Sequence, residues 1–259
     1  MITSAQNSKI KWLRLLQRDS RERRESGVII AEGVRLLEEA LSAGWQAQTI
    51  FYTADLEPRA RHLVERFAAQ GAALEQVADS VMLAASDTET PQGVLAVLHM
   101  RLLPHPSSLD FVFIPDRVRD PGNLGTMLRS AAAAGVQAVF LPTGAVDPFA
   151  PKVLRAGMGA QFRLPVLQLE WSDIRARIAR HGLRVYLAEM GGGIEYTLAD
   201  FVSPLALVVG GEASGSGVEA YDLSDQQVSI PMPGGSESLN AAIAAGVLLF
   251  EVVRQRRLH

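Results

Sequence analysis

The sequence predicts an α/β protein, with a small α/β domain followed by a larger one that has a mainly parallel sheet. Three observations support this fold class: strand and helix signals alternate, 48% of the residues are hydrophobic, and 259 residues suffice for two compact domains. Strands separated by helices favour a parallel sheet covered on both faces. With charged residues at only 20%, the composition excludes a disordered chain.

Residues 1–102 are predicted to form the small domain. Short apolar runs predict its strands. Its helices are predicted where apolar residues recur at helical spacing and the pattern ends at a glycine. The predicted strands are 27–33, 47–53 and 93–99, and the predicted helices are 34–43, 58–70 and 80–87. Two prolines and two serines follow in Arg101–Asp110, so residues 103–109 are the predicted linker.

Residues 110–259 are predicted to form the larger domain, by the same criteria. Its predicted strands are 111–115, 136–141, 164–169, 183–189 and 205–209, and its predicted helices are 123–134, 150–157, 171–181 and 236–257. The last helix is apolar on every side over residues 241–253, which predicts that it is buried, most simply in a subunit interface.

The composition excludes several kinds of site. The chain has no cysteine, which removes disulfide scaffolds, zinc ribbons, iron–sulfur sites and thiol catalysis. Its five histidines form no H-x-H or H-x-x-x-H pair, so no metal site is expected. The longest apolar run, Ala241–Phe250, is too short for a membrane helix, and no signal peptide is evident, so a soluble cytoplasmic protein is expected.

The charge is distributed unevenly along the chain. Residues 1–26 hold seven basic and three acidic side chains, a net charge of +4, whereas the whole chain carries −3. A basic segment on an otherwise acidic chain often contacts a polyanion. A solvated helix face would show the same pattern.

The usual nucleotide-binding and hydrolase motifs are absent. A P-loop needs a lysine directly after a glycine, and none of the three lysines stands there. The dinucleotide fingerprint begins at Gly215 and Gly217 but has Ala220 in place of its last glycine, and G-x-S-x-G does not occur. ATPase, Rossmann dehydrogenase and serine hydrolase functions are therefore disfavoured.

Three turns stand out because each follows a strand or begins a helix. In the first, residues 116–135, Asn123 is expected to cap the next helix, and Gly125 and Arg129 share one helical face that leaves room for a ligand. A plain cap and a solvated arginine are the alternatives. The second, Val209–Gly217, offers backbone groups through four glycines. The third is Ile230–Asn240.

Together the three turns resemble the motifs of the SpoU/TrmH family of RNA ribose methyltransferases, in the SPOUT superfamily. The family's N-x-G-x-x-x-R is matched by Asn123, Gly125 and Arg129. Its G-x-E-x-x-G is matched from Gly210 to Gly215, and its I-P-M-x-G-x-x-x-S-L-N by residues 230–240. Residues 151–162 are also similar, although Gly157 stands where a serine is expected. Residues 1–102 resemble the L30e-like RNA-binding domain of some members.

The resemblance implies a C-terminal trefoil knot, a homodimer formed by the C-terminal domains, and methyl transfer from S-adenosylmethionine to a ribose 2′-hydroxyl without a metal. Arg129 would be catalytic, as base or, as we favour, as electrostatic stabiliser, and Glu212 would orient it. Asn123 and Ser238 would hold the ribose or its phosphate, and Asn240 would fix its loop. The implied cofactor residues are Leu141, Thr143, Gly210, Gly211, Ile230, Met232 and Leu239.

The implied substrate is RNA, with ribosomal RNA preferred over transfer RNA because of the L30e-like domain. The basic segment would add sequence-independent phosphate affinity through Lys9, Lys11, Arg21, Arg23 and Arg24. Two other functions stay open at this point. One is a non-catalytic RNA-binding protein that keeps the fold, and the other is a small-molecule α/β enzyme with a different cofactor.

Overall fold

The chain folds into two compact units in a computed structural model that describes residues 1–211 and 215–258. The first unit comprises Met1–Leu102 and Phe149–Phe162, and the second comprises Leu103–Pro148 and Arg163–His259. The longer segment of the first unit ends at residue 102. The predicted linker, residues 103–109, belongs to the second unit, and residues 149–162, predicted within the larger domain, belong to the first.

The first unit is built on a four-stranded mixed sheet in the order β1-β4-β2-β3. β4 is antiparallel to both β1 and β2, whereas β2 and β3 are parallel. The strands are β1 (Val28–Glu32), β2 (Ala47–Tyr52), β3 (Ala73–Gln76) and β4 (Val94–His99). The helices are α1 (Ser8–Arg18), α2 (Ser20–Ser26), α3 (Val34–Ser42), α4 (Pro58–Ala69), α5 (Asp79–Ala85) and, from the later segment, α7 (Pro151–Ala156).

The later segment is part of the core of this unit. Leu154 and Phe162 are buried in the same apolar cluster as Trp45. The indole Nε1 of Trp45 donates to the Phe162 carbonyl at 3.0 Å, and the two rings lie 5.1 Å apart. The side chain of Arg155 pairs with Asp87 at 2.6 Å. A fragment that begins at residue 103 would therefore expose apolar side chains that the first unit buries.

The second unit is built on a seven-stranded sheet in the order β7-β6-β5-β10-β8-β11-β9, parallel at every pairing. Its strands are β5 (Phe111–Asp116), β6 (Ala138–Pro142), β7 (Val166–Leu169), β8 (Arg184–Ala188), β9 (Ile194–Glu195), β10 (Leu205–Gly210) and β11 (Gln226–Ser229). Its helices are α6 (Pro121–Ala133), α8 (Trp171–His181), α9 (Val218–Leu223) and α10 (Ala241–Arg256).

The strand order places β10 between β5 and β8, although it follows both of them in the chain. Ligands of open parallel sheets bind beyond the carboxyl ends of the strands, at a point where the strand order changes direction. The carboxyl ends of β10, β8 and β11 are therefore the expected place for a cofactor. The trefoil knot itself stays a prediction.

The last helix begins later than predicted. It begins at Ala241 rather than at residue 236, because the Asn240 side chain accepts from the Ala242 and Ile243 N–H groups and caps the helix there. Within the single chain one face of the helix is open, with Ile243 57% exposed and Phe250 50% exposed, and the burial of that face in a subunit interface stays a prediction. Its inner face packs against α6 and β10.

Candidate active site

A cavity of about 270 Å³ lies at the carboxyl edge of the second unit's sheet. Three chain segments line it: the end of β8, the end of β10 with the turn after it, and the stretch between β11 and α10. Its lining includes five of the seven predicted cofactor residues, and these are Gly210, Gly211, Ile230, Met232 and Leu239. The second and third turns of the sequence therefore come together at one cavity, as the resemblance implies.

Leu141 and Thr143, the other two predicted cofactor residues, do not line this cavity. Leu141 is fully buried in β6, and Thr143 is exposed beyond the end of that strand. The sheet order explains the difference, because β6 lies on the far side of β5 from β10. Residues 188–191, at the end of β8, do line the cavity, and the cofactor role of Leu141 and Thr143 stays a prediction.

Glu189 is the residue of that segment that sequence reasoning missed. It lines the cavity, and the Tyr221 hydroxyl donates to its carboxylate, which raises the pKa of Tyr221 to about 12. The backbone N–H of Met190 also donates to Glu189, at 3.2 Å. The signal that could have found it is the run Gly191–Gly193 directly after a predicted strand.

The turn after β10 approaches the turn after β5 so closely that only glycine fits. A Cβ on Gly211 would lie 2.5 Å from the Arg117 carbonyl oxygen, which is a backbone atom. The buried carboxylate of Asp116 accepts from the Gly217 N–H at 2.6 Å and so ties the two turns together. Burial raises the pKa of the Asp116 carboxyl group. Arg117 has a positive φ of 53°, which non-glycine residues rarely adopt.

Asn123 does not cap α6, contrary to its prediction. The helix begins at Pro121, and its cap is Asp120, whose carboxylate accepts from the Asn123 N–H at 2.8 Å. The Asn123 side chain is therefore free for another contact, and its Oδ1 accepts from Asn240 Nδ2 at 3.1 Å. This hydrogen bond joins the first turn to the third, across 117 positions of the chain.

Asn240 fixes its loop, as predicted, because its Oδ1 caps α10 while its Nδ2 holds Asn123. We expect Asn240→Ala to cost about 1 kcal/mol through the lost cap, which lowers the midpoint of thermal unfolding by about 2–4 °C. Asn240→Asp keeps the acceptor and should unfold near the wild-type temperature, yet it loses the donor to Asn123 and should still slow methyl transfer. Equal unfolding midpoints for the two variants would contradict the capping role.

Arg129 lies on α6 and is exposed. Within the described part of the chain its guanidinium makes no hydrogen bond and no ion pair. It stands six residues after Asn123, roughly 9 Å along the helix, and helical side chains lean toward the N-terminus. Arg129 therefore follows Asn123 by fewer than two turns of α6. Ser238 lines the cavity and is exposed, whereas Glu212 lies outside the described residues.

The lining of the cavity fits S-adenosylmethionine. Val209, Ile230, Met232 and Leu239 give it an apolar wall, and a Cβ on Gly210 would meet the backbone of residues 215 and 216. The Ser216 Oγ is buried beside it without a hydrogen-bond partner among the described residues. Glu189 and Glu237 line the cavity, and no lysine or arginine among the described residues does. Such a site suits a cofactor that is cationic and carries no phosphate.

The chain matches the SpoU rRNA Methylase family over residues 110–250. It belongs to that family. It also matches the MRM3-like substrate binding domain over residues 7–96. The N-terminal unit is thus a substrate-binding domain, and the predicted family, cofactor and enzyme class are confirmed: the chain is an S-adenosylmethionine-dependent RNA 2′-O-methyltransferase with a SPOUT fold.

Three similar proteins illustrate the relationship. An uncharacterized tRNA/rRNA methyltransferase of Synechocystis is 36% identical, covering 98% of this chain and 94% of its own. The 23S rRNA (guanosine(2553)-2'-O)-methyltransferase RlmP of Bacillus subtilis is 33% identical, covering 97% of this chain and 98% of its own. The crystal structure of an AdoMet-bound rRNA methyltransferase from Sinorhizobium meliloti is 32% identical, with a TM-score of 0.87, covering 98% of this chain and 97% of that one.

The predicted RNA-binding residues of the basic segment differ in their exposure and in their ion pairs. Arg23 is buried, and its guanidinium donates to the Leu16 and Gln17 carbonyls, so it ties α2 to α1 and offers no surface to RNA. Lys9 pairs with Glu75, and Arg21 pairs with Glu25 at 2.6 Å. Arg24 is exposed and bonds Ser20. Lys11 is exposed and makes no such contact with the described residues.

Across the described residues, no three acidic or histidine side chains cluster as a metal site would require. The same residues include no helix that is long and apolar enough to cross a membrane.

Proposed function

We propose that this protein methylates the ribose 2′-hydroxyl of one nucleotide in large-subunit ribosomal RNA, using S-adenosylmethionine bound in the cavity of the second unit. The observation that carries the proposal is the hydrogen bond between Asn123 and Asn240, which joins the first motif to a loop that lines the cavity. The similarity to RlmP, named as a 23S rRNA methyltransferase, favours the large-subunit RNA. A ribosomal RNA substrate also favours a cytoplasmic location.

Each polar residue of the site has its own role in the proposed reaction. S-adenosylmethionine, when bound, supplies an electrophilic methyl group on its sulfonium. Arg129 stabilises the negative charge that develops on the ribose 2′-oxygen, because a guanidinium is a cation and this one has no ion pair with the described residues. Asn123 accepts from Asn240 through its carbonyl, which leaves its NH₂ group to donate to the ribose or its phosphate. Ser238 offers a hydroxyl at the rim of the cavity.

Transfer RNA is the competing substrate, since the Synechocystis relative is named as a tRNA/rRNA methyltransferase. The experiment that separates them offers purified protein and methyl-labelled S-adenosylmethionine to deproteinised 23S rRNA and, separately, to bulk tRNA. We expect label in the rRNA alone. Label confined to tRNA would contradict the proposed substrate but not the enzyme class.

We propose that α1 supplies non-specific phosphate affinity through Lys11 together with Arg14 and Arg18. These three are exposed and spaced along one face, without ion pairs to the described residues. Changing all three to glutamine should weaken rRNA binding and flatten its salt dependence, by about 0.7 to 0.9 in slope for each lost phosphate contact. Arg59→Gln is the matched control because Arg59 is paired with Glu38 on the surface of the same unit. An unchanged slope in the triple variant would assign RNA capture elsewhere.

We propose that the protein is a homodimer whose subunits meet through α10. Ile243, Val247 and Phe250 lie at helical spacing on the face of α10 that the second unit leaves partly exposed. Phe250→Glu would place a charge in that interface, so we expect a monomer at micromolar concentration in sedimentation equilibrium, where the wild type is a dimer. Leu198→Glu, at an exposed apolar residue outside α10, should stay dimeric. A monomeric wild-type protein would contradict the proposal.

A further inference from the structure

A groove of about 360 Å³ runs along one face of α8, and it shares no residue with the cofactor cavity. Asp173, Arg177, Arg180 and His181 line it from the helix, at spacings that place them on one face. His105 and Ser107 line the opposite side. The groove thus gathers two arginines and two histidines against a single carboxylate.

The two arginines of this groove share it with one carboxylate, that of Asp173. Arg177 and Arg180 make no ion pair and no hydrogen bond to the described residues. The Arg177 guanidinium instead lies 5.9 Å from the centre of the Phe140 ring. Burial, followed by the charges of Arg180, His105 and Arg177, lowers the pKa of His181. Two guanidinium groups without ion pairs to the described residues, gathered in one groove, favour an anion.

The hydrogen bond of His181 leaves one nitrogen of its ring available as a donor. Its Nδ1 accepts from the Leu109 N–H at 3.3 Å. The neutral imidazole therefore carries its proton on Nε2, and this N–H remains free to donate. Two guanidinium groups and one imidazole N–H provide the set of donors that phosphate oxygens accept from.

We propose that this groove binds a backbone phosphate of the RNA substrate through Arg177, Arg180 and His181. This rests on the proposed function only in taking RNA as the source of the phosphate. The other explanation for these residues is that cations near the end of α8 complement its macrodipole. That explanation requires no ligand and predicts an effect on stability alone.

The groove lies away from the cavity in which the methyl group is transferred. The His181 end of α8 leads into the start of β8, whereas the cofactor cavity lies at the other end of that strand. The five residues of β8 span roughly 15 Å. A phosphate in the groove therefore belongs to a nucleotide other than the one that is methylated, and it positions the RNA without reading its sequence.

The test compares Arg177→Gln/Arg180→Gln with Arg175→Gln, which changes an exposed arginine of the same helix outside the groove. Binding of a 23S rRNA transcript is measured by filter retention between 50 and 300 mM KCl. We expect the double variant to bind about 10-fold more weakly at 100 mM and to lose about 0.7 to 0.9 of slope. Arg175→Gln should match the wild type. All three proteins should bind S-adenosylmethionine equally.

An unchanged slope in the double variant, or an equal loss in Arg175→Gln, would overturn the proposal. The proposal would also be overturned if the double variant only unfolded at a lower temperature and bound RNA as the wild type does. Calorimetric binding of inorganic phosphate to the wild type, with RNA affinity unchanged in the double variant, would reassign the groove to free phosphate and also overturn it. The proposed function is judged separately, by methyl transfer to rRNA from wild-type protein, so the two can fail independently.

Discussion

Replacing Arg129 with alanine is expected to slow methyl transfer by at least about 100-fold, the scale seen when one preorganised electrostatic donor is removed from a transition state. The guanidinium is exposed on α6 and makes no ion pair with the described residues, so its loss costs the fold little. S-adenosylmethionine affinity should change by less than a factor of about two, because Arg129 does not line the cavity. Single-turnover methyl transfer and calorimetric cofactor binding, measured on the same preparation, check both statements.

Arg129→Lys distinguishes the two roles open to this residue. A lysine keeps the positive charge but has a lower pKa than arginine and lacks its planar fork. If the side chain stabilises charge, the lysine variant should recover part of the rate and lose it as the pH rises toward 10. If the side chain is a general base, the lysine variant should become faster over that pH range. Full activity in Arg129→Ala would remove the residue from the reaction.

Replacing Gly211 with alanine is expected to weaken cofactor binding strongly. The new Cβ would lie 2.5 Å from the Arg117 carbonyl oxygen, so one of two backbone segments must move. Forced overpacking of this kind costs about 1–3 kcal/mol, which corresponds to a roughly 5- to 150-fold higher Kd if the cost falls on the bound state. Isothermal titration calorimetry with S-adenosylmethionine and with S-adenosylhomocysteine measures this change in Kd.

Gly234→Ala is the matched control, because Gly234 lies in the third turn and a Cβ there meets nothing within 4 Å. It should bind the cofactor as the wild type does. Equal affinity in the two alanine variants would show that the close approach of Gly211 to Arg117 is not needed for the site. Circular dichroism of both variants separates a displaced turn from a general loss of structure.

The elements that the sequence predicted well are long and amphipathic, or short and fully apolar. Trp171–His181 was predicted to the residue, and β1, β2, β4, β5 and β10 were each located within a residue or two. The strands β3, β9 and β11 were missed. They are short and only partly buried, so neither alternation nor a continuous apolar run marks them.

The Asn123 cap was wrong for a local reason, whereas the placement of Leu141 and Thr143 depends on contacts between distant segments. Asn123 has the residue type of a cap, but Asp120 and Pro121 precede it and form a better helix start. Leu141 and Thr143 end a strand as a cofactor residue should, yet the sheet order separates that strand from the cavity. Residues 189–191 line the cavity and follow β8, and only the topology indicates that β8 is adjacent to β10.

The sequence also does not predict that Phe149–Phe162 belongs to the first unit. Its apolar residues Val153, Leu154 and Phe162 indicate burial but not which core buries them. Arg23 illustrates the reverse problem, because a basic residue in a basic segment is buried and bonded to backbone carbonyls. Composition predicts the charge of a segment and not the exposure of each side chain.

The most direct test of the central claim is a map of 2′-O-methylated nucleotides in 23S rRNA after incubation with S-adenosylmethionine and either wild-type protein or Arg129→Ala. We expect one newly methylated ribose with the wild type and none above background with the variant. Methyl groups on a base, on tRNA alone, or at the same ribose in equal amount with Arg129→Ala would contradict it.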